Sequence, residues 1–88
     1  MLKISTSVAD GGVVTLRLDG RLTGQWVKLL QGTCEARLGK GARVVIDLTN
    51  VSFVDREGLA VLRGLADRNV EILNALPFIA EQIRKAAQ

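Results

Sequence analysis

The chain has no histidine. That absence removes the Ser-His-Asp and Cys-His catalytic arrangements, the commonest acid–base group near neutral pH, and most zinc sites. Cysteine occurs once, as Cys34, so neither an internal disulfide nor a thiolate metal cluster can form, and a reducing, cytoplasmic setting is expected. No apolar run approaches the about 18 residues of a membrane span. Met1–Ser5 lacks the apolar core of a signal peptide, and no direct membrane insertion is expected. Both phosphate-loop patterns, GxGxxG and GxxxxGK[ST], are missing; Gly39-Lys40-Gly41 is a fragment of neither. Aromatic side chains are few: Trp26, Phe53 and Phe78. All three are expected in the core, which leaves no stacking platform for nucleic acid.

What is present describes one ordered domain, residues 1–88. The hydrophobic share is 48% with a single proline, and a chain of this length buries roughly two-thirds of its unfolded surface. The net charge of +3 comes from 12 basic and 9 acidic residues. Arg37, Lys40 and Arg43 flank one turn, but the charges are otherwise dispersed, so a nucleic-acid partner is not expected.

Leu2, Ile4 and Val8 alternate, as do Val14, Leu16 and Leu18, with Asp10-Gly11-Gly12 between them. This pattern predicts a β-hairpin ended by Asp19-Gly20. Thr23 is a candidate cap for a helix running to about Leu38, with Trp26, Leu29, Leu30, Thr33 and Leu38 on one stripe and Cys34 beside it. Gly39-Lys40-Gly41 stops that helix. Val44-Val45-Ile46 predicts a central strand covered on both faces. A loop is expected from Thr49 to Val54, then a helix over about 56–66 and a strand over Val70–Leu73. Pro77 opens a last helix, whose apolar side is Phe78, Ile79, Ile83 and Ala86. The order β-β-α-β-α-β-α implies an α/β fold: a four-stranded mixed sheet with about three helices packed against it.

Two carboxylates are candidates for paired acid–base chemistry, because Asp47 ends the central strand and Asp55 starts the second helix. Capping by Asp55 and loop organisation by Asp47 are the more generic uses, and they are preferred here. Cys34 reads as a small buried side chain. No enzyme and no cofactor are expected.

Residues Asp47-Leu48-Thr49-Asn50-Val51-Ser52-Phe53-Val54-Asp55-Arg56-Glu57-Gly58-Leu59 resemble the signature of STAS domains (sulphate transporter and anti-sigma factor antagonist), roughly D-L-S-x-V-x-F-x-D-S-x-G-L. Asp47, Leu48, Val51, Phe53, Asp55, Gly58 and Leu59 match it, and Thr49 is a close substitute. Leu18–Thr23 looks like the family's L-x-G-x-L-D segment, and Val70–Asn74 falls at its next strand. The resemblance implies a STAS-like fold in which a further C-terminal strand and helix commonly follow; this chain stops at Gln88. The Val70–Leu73 strand is then expected to be an open edge, through which a homodimer could pair.

The resemblance also implies a non-catalytic protein-interaction module similar to an anti-sigma factor antagonist. Such proteins dock an anti-sigma factor or kinase through the loop and the start of the second helix, here Thr49, Asn50, Ser52, Asp55, Arg56, Glu57 and Gly58. In the family, the kinase phosphorylates the serine after the second Asp, adding about −1.5 to −2 charges at a helix N-terminus. That position is Arg56 in this chain, so the phosphoserine switch is expected to be absent. Arginine in a first helical turn opposes the helix dipole by about 0.3–1 kcal/mol, which Asp55 and Glu57 offset. Whether Arg56 contacts a partner or is simply solvated stays open at this level. Thr49 and Ser52 read as turn hydrogen-bonders. Two other roles follow from the resemblance: a regulatory STAS subunit on the ATPase of a lipid-transport system, or a small-ligand or nucleotide sensor.

Overall fold

Alternate apolar residues build the first ladder. In the computed structural model, which describes residues 2–86 and side chains as far as Ile83, β1 (Leu2–Val8) pairs antiparallel with β2 (Val13–Leu22). The turn between them closes through Ala9 N donating to Val13 O at 2.8 Å. Gly11 and Gly12 stand at φ 89° and 82°, a left-handed backbone that glycine adopts without steric cost.

β2 runs parallel to β3 (Arg43–Val54), and β3 parallel to β4 (Glu71–Leu73), giving the sheet order β1-β2-β3-β4. Parallel neighbours need crossovers. α1 (Gln25–Gly39) supplies the first and α2 (Arg56–Asp67) the second, and α3 (Pro77–Ala86) follows β4. The expected element order is therefore found, with Pro77 at the first helical position and β4 at an open edge of the sheet.

Val14, Leu16, Leu18, Val44, Ile46 and Leu48 face one core, filled from the helices by Val27, Leu30, Cys34, Leu62, Leu65 and Ile79. The helices cover this face only. Residues on the other face are largely polar, including Ser5, Thr15, Arg17 and Asp47, so β3 is not helix-covered on both faces as expected. Val45 lies on that second face yet is only 8% exposed.

Five further expectations need correction. The segment Thr49–Val54 is strand, not loop. β2 continues past Asp19-Gly20 to Leu22, and two register shifts keep it paired with β3 as far as Leu22↔Val54. α1 is capped at Gly24 rather than by the Thr23 side chain; Thr23 contributes its carbonyl, which accepts from Trp26 N at 3.1 Å. With this start the buried stripe is Val27, Leu30 and Cys34, and Leu29 is 48% exposed. Among the aromatics, only Trp26 packs against the core as expected; Phe53 and Phe78 are 46% and 71% exposed. Ala86, expected on the apolar side of α3, lies outside the described side chains.

On the polar face, Asp47 Oδ1 accepts from the Thr49 hydroxyl, from Thr49 N at 2.9 Å and from Asn74 Nδ2 at 3.1 Å. These donors, the Thr49 hydroxyl first, hold the Asp47 carboxyl below its ordinary value, and the Arg17 charge adds to them. A depressed folded-state pKa contributes stability above the ordinary value, which is lost as pH falls through the lower folded value. Asp47→Asn should therefore be less stable than the native chain at neutral pH, and the gap in urea midpoint should narrow as pH falls below the ordinary carboxylate value of about 3.9. A gap independent of pH would show that the carboxylate charge contributes nothing.

Candidate functional site

The end of β3 and the start of α2 meet at Asp55, whose extended backbone (φ −80°, ψ 179°) suits an N-cap. Its two carboxylate oxygens serve different helices. Oδ1 accepts from Gly58 N at 2.7 Å and Oδ2 from Gly24 N at 3.0 Å. The Asp55 backbone N donates to Leu22 O at 3.1 Å. One side chain thus satisfies an orphan donor at the start of both α1 and α2, and ties both to the ends of β2 and β3.

The capping use of Asp55 is the one found. Asp47 lies eight residues away along extended chain, roughly 25 Å at strand rise, because β3 is continuous between them. The two carboxylates form no catalytic pair.

Gly58 is buried at the foot of α2. A Cβ there would stand 2.7 Å from Val54 Cγ1, 3.1 Å from Leu22 O and 3.2 Å from Asp55 Oδ1. Close approach, not backbone conformation, excludes a side chain.

Arg56 and Glu57 are exposed in the first turn. They point along different faces of α2. Helical spacing sets Arg56 with Leu59 and Arg63, and Glu57 with Val61 and Gly64. Arg56 makes no ion pair among the described residues.

Of the other expected site residues, Ser52 is exposed near the end of β3, its hydroxyl donating to Gly20 O at 3.3 Å. Asn50 Nδ2 donates to Asp19 Oδ1 at 2.6 Å across the β2–β3 ladder. Thr49 is committed to Asp47, six residues of strand from Asp55. The structure therefore gathers Ser52, Asp55, Arg56, Glu57 and Gly58 at one end, and leaves Thr49 and Asn50 along the sheet.

Beside that end lies an apolar groove of about 120 Å³, lined by Phe53, Val54, Leu59, Leu76, Phe78 and Ile79 with Ser52 at its rim. Leu76 is 49% exposed. The Arg21 guanidinium stands 5.1 Å from the centre of the Phe53 ring, within cation–π range. A second cleft, about 260 Å³, separates α1 from α2 between Gln31, Glu35, Gly64 and Arg68. Arg68 and Glu35 pair across it at 3.1 Å; both are half-exposed, so the pair adds little stability.

The residues that resemble a STAS signature thus form one strand–cap–helix junction, and the family model described as Mlab, STAS domain matches residues 5–86. The chain belongs to the STAS domain family. In fold this STAS domain is similar to the unphosphorylated anti-sigma factor antagonist SpoIIAA, with TM-score 0.73 and 20% identity over 90% of this chain and 79% of that one. The Bacillus cell fate determinant SpoIIAA in its phosphorylated form gives 0.74 and 17% over 96% and 83%. An anti-sigma factor antagonist from Mycobacterium paratuberculosis gives 0.68 and 16% over 96% and 95%. At such identities the likeness is one of fold. No curated protein matches the chain in sequence.

The exposed groove of this STAS domain is the feature that its sequence did not reveal. Phe53 and Phe78 read as core residues because they are aromatic and sit in apolar surroundings. Strand alternation alone could not have exposed Phe53: Val51 and Val54 are both buried although three residues apart, because the ladder with β2 shifts register between them. Cys34 is fully buried, and burial pushes its thiol up, as befits a core side chain. Among the described residues no three His, Cys, Asp or Glu side chains gather as metal ligands, and no helix is long and apolar enough to cross a membrane.

Proposed function

We propose that this STAS domain is a non-catalytic docking module whose partner binds at the start of α2, and that the docking end carries no phosphoserine switch. The observation that carries the reading is Arg56: exposed, unpaired among the described residues, and first in α2 at the family's phosphoserine position. A phosphate there would reverse the charge of the docking end. A guanidinium keeps a fixed positive charge at that position, and arginine is among the residues enriched at interface hot spots.

The partner class follows from the family in two ways. Likeness to anti-sigma factor antagonists supports an anti-sigma factor or kinase. The matching family model is described by Mlab rather than by sigma-factor control, which supports a second reading, a regulatory subunit bound to an ATPase. Affinity capture with the native chain, followed by identification of the retained protein, separates these readings. Arg56→Asp should weaken binding of that protein at least tenfold, about 1.4 kcal/mol. Unchanged affinity would reduce Arg56 to solvated surface. Pairing of two copies through the open edge of β4 would appear instead as a doubled mass by light scattering.

A further inference from the structure

We infer that the groove between β3, α2 and α3 is a second half of the docking surface, shaped for an acidic amphipathic segment of a partner protein. The inference rests on the docking reading above and names the chemistry of the partner. Three side chains in or beside this groove, Phe53, Leu76 and Phe78, are exposed although large and apolar. They meet in one depression rather than lying scattered, and a clustered apolar patch marks an interaction surface.

The charge around the groove identifies its occupant. Arg21 lies over the Phe53 ring. Arg56 and Arg63 share the face of α2 that carries Leu59, which lines the groove. Arg63 is half-buried, and its Nε, itself shielded from solvent, has no hydrogen-bond partner among the described residues. Glu57 lies on the other face of α2, and Glu81, one turn beyond Phe78, is already engaged. Asp55, beside Val54, is turned to Gly24 N and Gly58 N, so the charged groups left open to a partner at this rim are guanidiniums, and an apolar stripe flanked by carboxylates would seat in the groove and pair with them. A second copy fits poorly. A two-fold contact brings the same patch of both chains together, and would set Arg21, Arg56 and Arg63 against themselves.

Amide chemical shifts of the isotope-labelled full chain, followed during titration with two short helical peptides, test this. Both peptides carry the same Leu/Phe stripe, one flanked by Glu and the other by Lys. The Glu peptide should shift Phe53, Leu59, Leu76 and Phe78, should bind at least tenfold tighter than the Lys peptide, and should weaken with added salt. Phe78→Ser, a change at an exposed position, should abolish its binding without loss of fold. Equal binding of both peptides, binding of neither, shifts confined to another face, or a dimer that Phe78→Ser disperses would each overturn the inference. Failure here stays distinct from failure of the docking reading: a captured partner that needs Arg56 but ignores Phe78→Ser removes the groove alone.

Discussion

Replacing Gly58 by alanine should destabilise the domain by about 1–3 kcal/mol, the usual cost of overpacking, and lower Tm by roughly 4–20 °C for a domain of this size. Two effects oppose each other at this site. Alanine is the better helix former by up to about 1 kcal/mol in a helix interior, but Gly58 sits in the first turn, where that gain is smaller. Against it stands a methyl group at 2.7 Å from Val54 Cγ1 and 3.1 Å from the Leu22 carbonyl. Val54 is itself buried, and the carbonyl belongs to the backbone, so neither has free space to move into. The steric term wins.

Gly64 is the internal control. It lies in the same helix, and a Cβ there meets nothing within 4 Å. Gly64→Ala should therefore stabilise by about 0.5–1 kcal/mol. Opposite signs for the two substitutions, read from urea unfolding, are the expected result. Two stabilising substitutions would mean that α2 is free to slide off the ends of β2 and β3.

The second large effect is expected at Asp55. Removing an N-cap side chain costs about 0.5–2 kcal/mol, and this carboxylate caps two helices at once, through Gly58 N and Gly24 N. Asp55→Ala should thus lose about 2–3 kcal/mol, more than a single cap accounts for. Asp55→Asn keeps one acceptor oxygen and should recover about half. The backbone bond from Asp55 N to Leu22 O survives both changes, so the difference between them reports the side chain alone. A loss of less than about 1 kcal/mol in Asp55→Ala would show that one of the two bonds contributes nothing. The same variant should weaken partner docking beyond its stability loss, because Asp55 fixes the start of α2 relative to α1.

Much of this architecture was legible in the residues. The alternation of Leu2 and Ile4 with Leu16 and Leu18, the Gly11-Gly12 turn and the proline at the head of α3 were found as read, and the β-branched run from Val44 was found as a central strand, though helices cover only one of its faces. The signature around Asp55 located the junction. Less legible were features made by residues distant in sequence. Gly24 replaces Thr23 as the cap of α1 because its N–H is met by a carboxylate 31 positions away, which no local pattern records. The strand through Asn50–Phe53 looks like loop because Asn50 and Ser52 interrupt its apolar pattern. It is held by the ladder to β2, by Asn50 on Asp19 and by Ser52 on Gly20. The groove stayed hidden for a related reason: aromatic residues are commonly buried, and only the assembled fold shows that Phe53 and Phe78 stay exposed.

The proposed docking of a partner at the start of α2, without a phosphate switch, is tested by the intact mass of the native chain after incubation with the captured partner and ATP, measured alongside the fraction still bound. An unmodified mass and an undiminished complex are expected. A phosphate on Thr49 or Ser52, accompanied by release of the partner, would contradict the proposal.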